Sequence, residues 1–195
     1  MSTMGRSDKT GAFERPENEE QLEEILKEAY SYAVSRNYEK AIGLCDQLIQ
    51  EPATAIAGYR QRAAVLSHMA DIDRAIIDLK VVLEADPQEP ADLHALGMLL
   101  LQNGSTIEAI IRFGEAVKVG DTANNHYYKN SSLLLGAESK LKVCDFEGAM
   151  ADVAGLPDGY KAYFSGLGMR SKEDIAGEAR AAIARKAQSK FQFKK

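Results

Sequence analysis

The sequence predicts an all-α protein, a solenoid of stacked antiparallel helix pairs, and three observations predict it. Ala41, Ala75 and Ala109 stand 34 residues apart, each inside one recurring phrase that spans 37–42, 71–76 and 105–110. A fixed period of this size marks a repeat array, in which each unit buries its apolar face against its neighbours. Apolar residues also recur at helical spacing through every unit. Asn, Gly and Pro punctuate the pattern where chains turn.

Residues 1–19 hold Gly, Ser, Thr, Pro and charges with little periodicity, and are expected to form a disordered leader. The array is expected over 20–157. From Leu22 a helical face runs through Ile25, Ala29, Tyr32 and Ala33, and Ser35, Arg36 and Asn37 make a tight turn. The second helix presents Ala41, Leu44, Cys45, Leu48 and Ile49, and Pro52 ends it because proline cannot continue a helix. The next unit repeats this with Tyr59, Ala63 and Leu66, then Ala75, Ile76, Leu79, Val82 and Leu83, and closes at Asp86 and Pro87. The third has Leu93, Leu96, Gly97 and Leu100, a turn at Asn103 and Gly104, then Ala109, Ile110, Phe113, Ala116 and Val117. Gly120 and Asp121 are expected to close it.

A fourth, degenerate unit echoes the phrase at 145–150, but Ala149 lies 40 residues after Ala109. About six residues are therefore inserted, best placed between Thr122 and Tyr128, where they extend the loop or the start of the next helix. Residues 158–195 are expected to form a helical cap with a basic tail. Within it, Tyr160 to Leu167 fits a brief helix, and Ser171 with Asp174 resembles a capping box opening a last helix that frays near Ser189.

Composition bounds the function. The chain has 195 residues, 45% of them hydrophobic and 27% charged, the usual range of a water-soluble globular protein. No apolar run reaches the length of a membrane span, and the polar first 20 residues do not read as a secretory signal. Cys45 and Cys144 stand far apart, so neither a disulfide framework nor a zinc site is indicated, and a reducing cytoplasm is expected. From Asp158 onward, nine basic side chains face four acidic ones, while the whole chain carries −5. An acidic body with a basic tail argues for a solvated cap and against nucleic-acid binding.

The repeated units resemble the tetratricopeptide repeat (TPR) family, whose pattern alternates small and large residues at set positions. The small helix-A positions are Ala29, Ala63, Gly97 and Ala137. The turn positions are Tyr38, Ile72, Thr106 and Phe146, and the small helix-B positions are Ala41, Ala75, Ala109 and Ala149. The resemblance implies a right-handed α-solenoid of three regular units, one degenerate unit and a capping helix. Small residues matter because paired helices cross closely there, and overpacking such a crossing costs about 1–3 kcal/mol.

No chemistry of catalysis emerges. His68, His94 and His126 sit in no metal-ligand spacing, and no nucleophile elbow or phosphate loop is present. Catalysis needs converging groups, so no enzyme activity, cofactor or metal is expected. The resemblance instead implies a partner-binding groove lined by the A helices. Its residues by template position are Leu26, Tyr30 and Val34, then Arg60, Ala64 and His68. The third unit adds His94, Met98 and Leu101, and the fourth adds Leu134, Glu138 and Leu141.

Some members of the family grip a chaperone's C-terminal carboxylate with lysines and asparagines. Those positions hold Leu26, Tyr30, Gln61, Ala91 and Ala95 here, so that clamp is absent. The expected function is a cytoplasmic adaptor that binds a peptide or amphipathic helix of a protein partner. The alternatives are a chaperone-like or neutralising binder of a secreted protein or toxin, and a homodimerisation module.

Overall fold

The computed structural model describes residues 16–164 and 168–192. The expected leader over 1–15 and the end of the basic tail (193–195) lie outside the described residues. The chain order is α1 (Glu19–Val34), α2 (Tyr38–Gln50), α3 (Ala55–His68), α4 (Ile72–Ala85), α5 (Pro90–Gln102), α6 (Thr106–Thr122), α7 (His126–Lys142) and α8 (Phe146–Ala154). A two-stranded hairpin of β1 (Lys161–Phe164) and β2 (Gly168–Ser171) follows, then α9 (Lys172–Gln192). The first helix of each pair (α1, α3, α5, α7) is helix A and the second (α2, α4, α6, α8) is helix B. Two compact units, 1–78 and 79–195, meet inside α4.

In the first unit, α1 starts at Asn18, whose side chain accepts a hydrogen bond from the Gln21 N–H, with Glu19 and Glu20 in the first turn. Both features suit the positive N-terminal end of a helix. Ala29, Ala33, Ala41, Cys45 and Val65 form the core, ringed by Tyr32, Tyr38, Ile42 and Leu44. A Cβ added to Gly58 would lie 2.9 Å from the Ile49 side chain and 3.0 Å from the Cys45 carbonyl oxygen, so the backbone of α3 comes close to the backbone of α2 here. Arg62 on α3 then forks across its neighbours. Its Nε and Nη2 each donate to Asp78 at 2.8 Å, and its Nη1 donates to Asp46 at 2.6 Å. This two-pronged pairing satisfies the buried Asp78 carboxylate and fixes the angle of α3.

In the second unit, Leu96, Leu100, Ala109, Phe113, Ala116, Leu134, Leu135, Ala137, Ala149 and Val153 are buried. A Cβ on Gly97 would fall 2.6 Å from the Phe113 ring. Only glycine lets that ring lie across α5. The last helix opens with the expected capping box: Ser171 Oγ accepts from the Asp174 N–H at 3.1 Å, and the Asp174 carboxylate accepts from the Ser171 N–H at 3.2 Å.

The repeat is written in the backbone as well as in the core. Arg36, Ala70, Gly104 and Cys144 all take positive φ, between 60° and 87°. Each lies two residues past the end of its A helix. The next N–H closes each turn by reaching back five residues: Asn37 to Tyr32, Asp71 to Leu66, Ser105 to Leu100 and Asp145 to Lys140. This is the Schellman arrangement, which satisfies carbonyls at a helix end and needs a left-handed residue. Tyr38, Ile72, Thr106 and Phe146 are the first residues of the B helices, as the turn positions require.

Three expectations need correction. Tyr160 to Leu167 is not a brief helix: residues 161–164 are strand β1, paired antiparallel with β2 in the register Tyr163 to Met169 and Phe164 to Gly168. Residues 165–167 lie outside the described residues. Aromatic side chains favour a pleated surface, and burial alternates so that Phe164 turns inward while Tyr163 stays out. The third unit does not close at Gly120 and Asp121, because α6 continues to Thr122 and turns at Asn124, φ 54°. The inserted residues leave the loop short and lengthen the start of α7, one of the two expected placements, and they lengthen α6 as well, so that both helices have 17 residues. Finally, α1 begins at Glu19 and α9 reaches Gln192, so each runs beyond its expected limit.

Non-glycine residues at left-handed turn positions are strained by about 1–2 kcal/mol. Ala70→Gly should therefore raise stability by about 1 kcal/mol, visible as a higher melting temperature, while Gly104→Ala should lower it by a similar amount. Denaturant titration of both variants checks the pair.

Candidate functional site

The A helices carry the candidate site, one turn of helix per position. On α1, Leu26, Tyr30 and Val34 succeed one another at a spacing of four, and so do Arg60, Ala64 and His68 on α3. Residues four apart lie on one helix face. In the first unit this face is open. Tyr30 and Val34 are 52% and 58% exposed, Arg60, Ala64 and His68 are exposed, and Leu26 is half-buried. The two helices touch through this face: the Tyr30 and His68 rings meet edge-on with centroids 5.9 Å apart. The Tyr38 hydroxyl donates to the His68 carbonyl at 3.2 Å, pinning the end of α3 above the first turn of α2.

The second unit differs. Met98 and Leu101 are half-buried, as is Leu141, but His94, Leu134 and Glu138 are buried and present no open face. The reason is α7. Its residues from Ser131 to Ser139 are all buried, because α5, α6, α8 and α9 pack around it. A stretch covered on every side over two turns, its polar Ser131, Ser132, Glu138 and Ser139 included, is one surrounded by protein.

His94 sits in this interior. One ring nitrogen, Nδ1, lies 2.8 Å from Ser132 Oγ, and Nε2 lies 3.4 Å from Ser131 Oγ. The rings of Phe113 and Tyr128 flank it at 5.9 and 5.6 Å. Desolvation there pushes its pKa down to about 4, which keeps it neutral.

Glu138 is held by the hairpin. Arg170 on β2 donates through Nε to Glu138 at 2.8 Å and through Nη2 to Glu178 on α9 at 2.9 Å. One guanidinium thus fastens β2 to both α7 and α9. That clamp had no sequence signal, since Arg170 and Glu138 stand 32 residues apart. Among the described residues, no three His, Cys, Asp or Glu side chains could hold a metal ion. No helix among them is long and apolar enough to cross a membrane.

Solved structures share this architecture. MamA (AMB-1) superposes with a TM-score of 0.63 at 14% identity, covering 91% of this chain and 90% of its own. The TPR2B domain of yeast Sti1, in complex with pHsp70, gives 0.56 at 19% identity, over 62% of this chain and 96% of its own. The Yersinia enterocolitica type III secretion chaperone SycD, in complex with a peptide of the translocator YopD, gives 0.56 at 20% identity, over 65% and 97%. No family model matches the chain, and no curated protein does either. The chain has the tetratricopeptide-repeat fold: a helical array whose units are paired antiparallel helices.

The buried imidazole makes stability depend on pH. Above the ordinary histidine pKa of 6.5, His94 is neutral whether folded or unfolded and contributes no pH dependence. As pH falls from 6.5 toward about 4, the unfolded chain takes the proton first, so stability declines. The loss should reach about 3 kcal/mol by pH 4. In His94→Gln, urea unfolding should show a flatter slope across that window than the parent. Parallel slopes would place the imidazole in water instead.

Proposed function

We propose that the chain is a non-catalytic interaction module that holds a peptide or single helix of a protein partner. The site is the face made by Tyr30 and Val34 on α1 and by Arg60, Ala64 and His68 on α3. The observation that carries it is the exposure of two large apolar side chains, Tyr30 and Val34, one turn apart on a helix whose adjoining face, Ala29 and Ala33, is core. A soluble helix normally turns polar residues outward, and an exposed apolar strip beside a cation marks a contact surface. Ala64 leaves room between the two columns for an incoming side chain. Arg60 places a cation at the border of the strip, and Tyr and Arg are the side chains that dominate interface energies. An amphipathic helix with apolar residues at a spacing of three or four suits this face.

The solved structures support the reading by analogy of fold, since one of the proteins named above is in complex with pHsp70 and another holds a peptide of a translocator. The likeness to SycD favours a second reading within the same class, a chaperone-like holder of a secreted protein or toxin in a cytoplasmic setting.

Affinity capture from host extract tests the site. Tyr30→Ala combined with Arg60→Glu should lower recovery of the specific partner by tenfold or more, on the order of a hot-spot loss. The circular dichroism of the variant should stay unchanged. Full retention of every captured protein by the folded double variant would refute the assignment.

A further inference from the structure

We propose that the chain also self-associates through α6, two copies pairing antiparallel across a two-fold axis at Gly114. Ile107 and Ile111 lie one turn apart on α6 and are 62% and 51% exposed. Gly114 and Lys118 continue the same stripe, and both are exposed. A glycine inside an exposed helix weakens it. Here nothing among the described residues uses the missing side chain, because a Cβ at Gly114 would meet none of their atoms within 4 Å. Gly43 and Gly177 are as open, but neither follows a pair of exposed isoleucines.

The same helix supplies the hollow that the ridge would fill. Its C-terminal half borders a cleft of about 450 Å³, where Leu83, Leu93 and Val119 lie among the charged Arg112, Glu115 and Lys118. The ridge and the cleft lie on adjoining faces of α6 and share Lys118, so each copy offers both halves to a two-fold contact. Pairing about Gly114 brings positions equally far before and after it together. Ile107 then meets the stretch from Lys118 to Thr122 of the second copy, beside its cleft. The glycines face each other at the closest approach of the two helices, where the absent Cβ has a use.

Charge agrees with this register. Lys118 makes no ion pair among the described residues. In the paired arrangement it lies within a turn of Glu108 of the second copy, twice over by symmetry. Glu108 sits near the start of α6, where its Oε1 faces Lys80 at 3.3 Å and Arg112 at 4.0 Å, and its Oε2 takes part in neither pair. The occupant of this face is therefore a second copy of the chain, and the contact is separate from the α1 and α3 face.

Light scattering of the full chain at micromolar concentrations should report twice the 21.3 kDa chain mass. Ile111→Glu should raise the dimer dissociation constant by about tenfold or more while leaving the circular dichroism unchanged. Lys118→Glu should weaken association, and adding Glu108→Lys should restore it. Placing cysteine on the axis gives an independent check. Gly114→Cys in a Cys144→Ser background should form a disulfide-linked dimer on mild oxidation, whereas Gly43→Cys in that background should not. A monomer at every concentration overturns the proposal. So does a dimer indifferent to Ile111→Glu, or one that crosslinks no better from 114 than from 43; a dimer of that kind uses another face.

Discussion

Helix A and helix B of each unit approach one another at alanine, and that approach constrains the rest of the molecule. Ala29, Ala33, Ala41, Ala75, Ala109, Ala137 and Ala149 are all fully or almost fully enclosed. A methyl group is the largest side chain that fits where two backbones come this close, and interiors packed at crystal density cannot absorb more. Glycine takes over at the tightest points. Gly58 meets α2, and Gly97 makes way for the Phe113 ring. Once these crossings are set, the Leu and Ile residues flanking them have only one direction to point, and the opposite faces are left to water or to partners.

The turns convert that local packing into a repeat. A left-handed residue two places past each A helix reverses the chain in the fewest residues, so the B helix returns at once against the helix it must cover. Three of these positions hold Arg36, Ala70 and Cys144 rather than glycine, and the fold keeps them strained. Tertiary packing outweighs a local penalty of about 1–2 kcal/mol when each pair buries a full apolar face. The two units then diverge in what they expose. The α1 and α3 face stays open. In the second unit, α7 is enclosed, and Arg170 adds a clamp that joins hairpin, α7 and α9.

The array was legible because its determinants are local. The period of 34, the small residues and the turn residues all act within a few positions, so the helix pairs, the turn at Arg36 and the capping box at Ser171 could be read directly. Where the outcome depends on distant contacts, the sequence was ambiguous. Tyr160 to Phe164 has the composition of a strand or a short buried helix, and only pairing with β2 decides between them. The six extra residues before Ala149 were countable, but their division between α6 and α7 depends on how far those helices stay in contact. Of the candidate site, Tyr30, Val34, Arg60, Ala64 and His68 lie on an exposed face. His94, Leu134 and Glu138 occupy equivalent template positions but are buried. Position along a repeat tells which way a side chain points, not what later segment comes to cover it.

Two native thiols report on that packing without any substitution. Cys45 lies at the centre of the α1, α2 and α3 crossing with no exposed surface, and burial pushes its pKa up to about 12. Cys144 is exposed at the turn after α7. Thiol labelling of the native protein, followed by peptide mass analysis, compares the two directly. Cys144 should react at the rate of an open thiol, and Cys45 only as fast as the first unit unfolds. Equal rates under native conditions would mean that the helices do not cross where the alanines are, and the account would be wrong at its root.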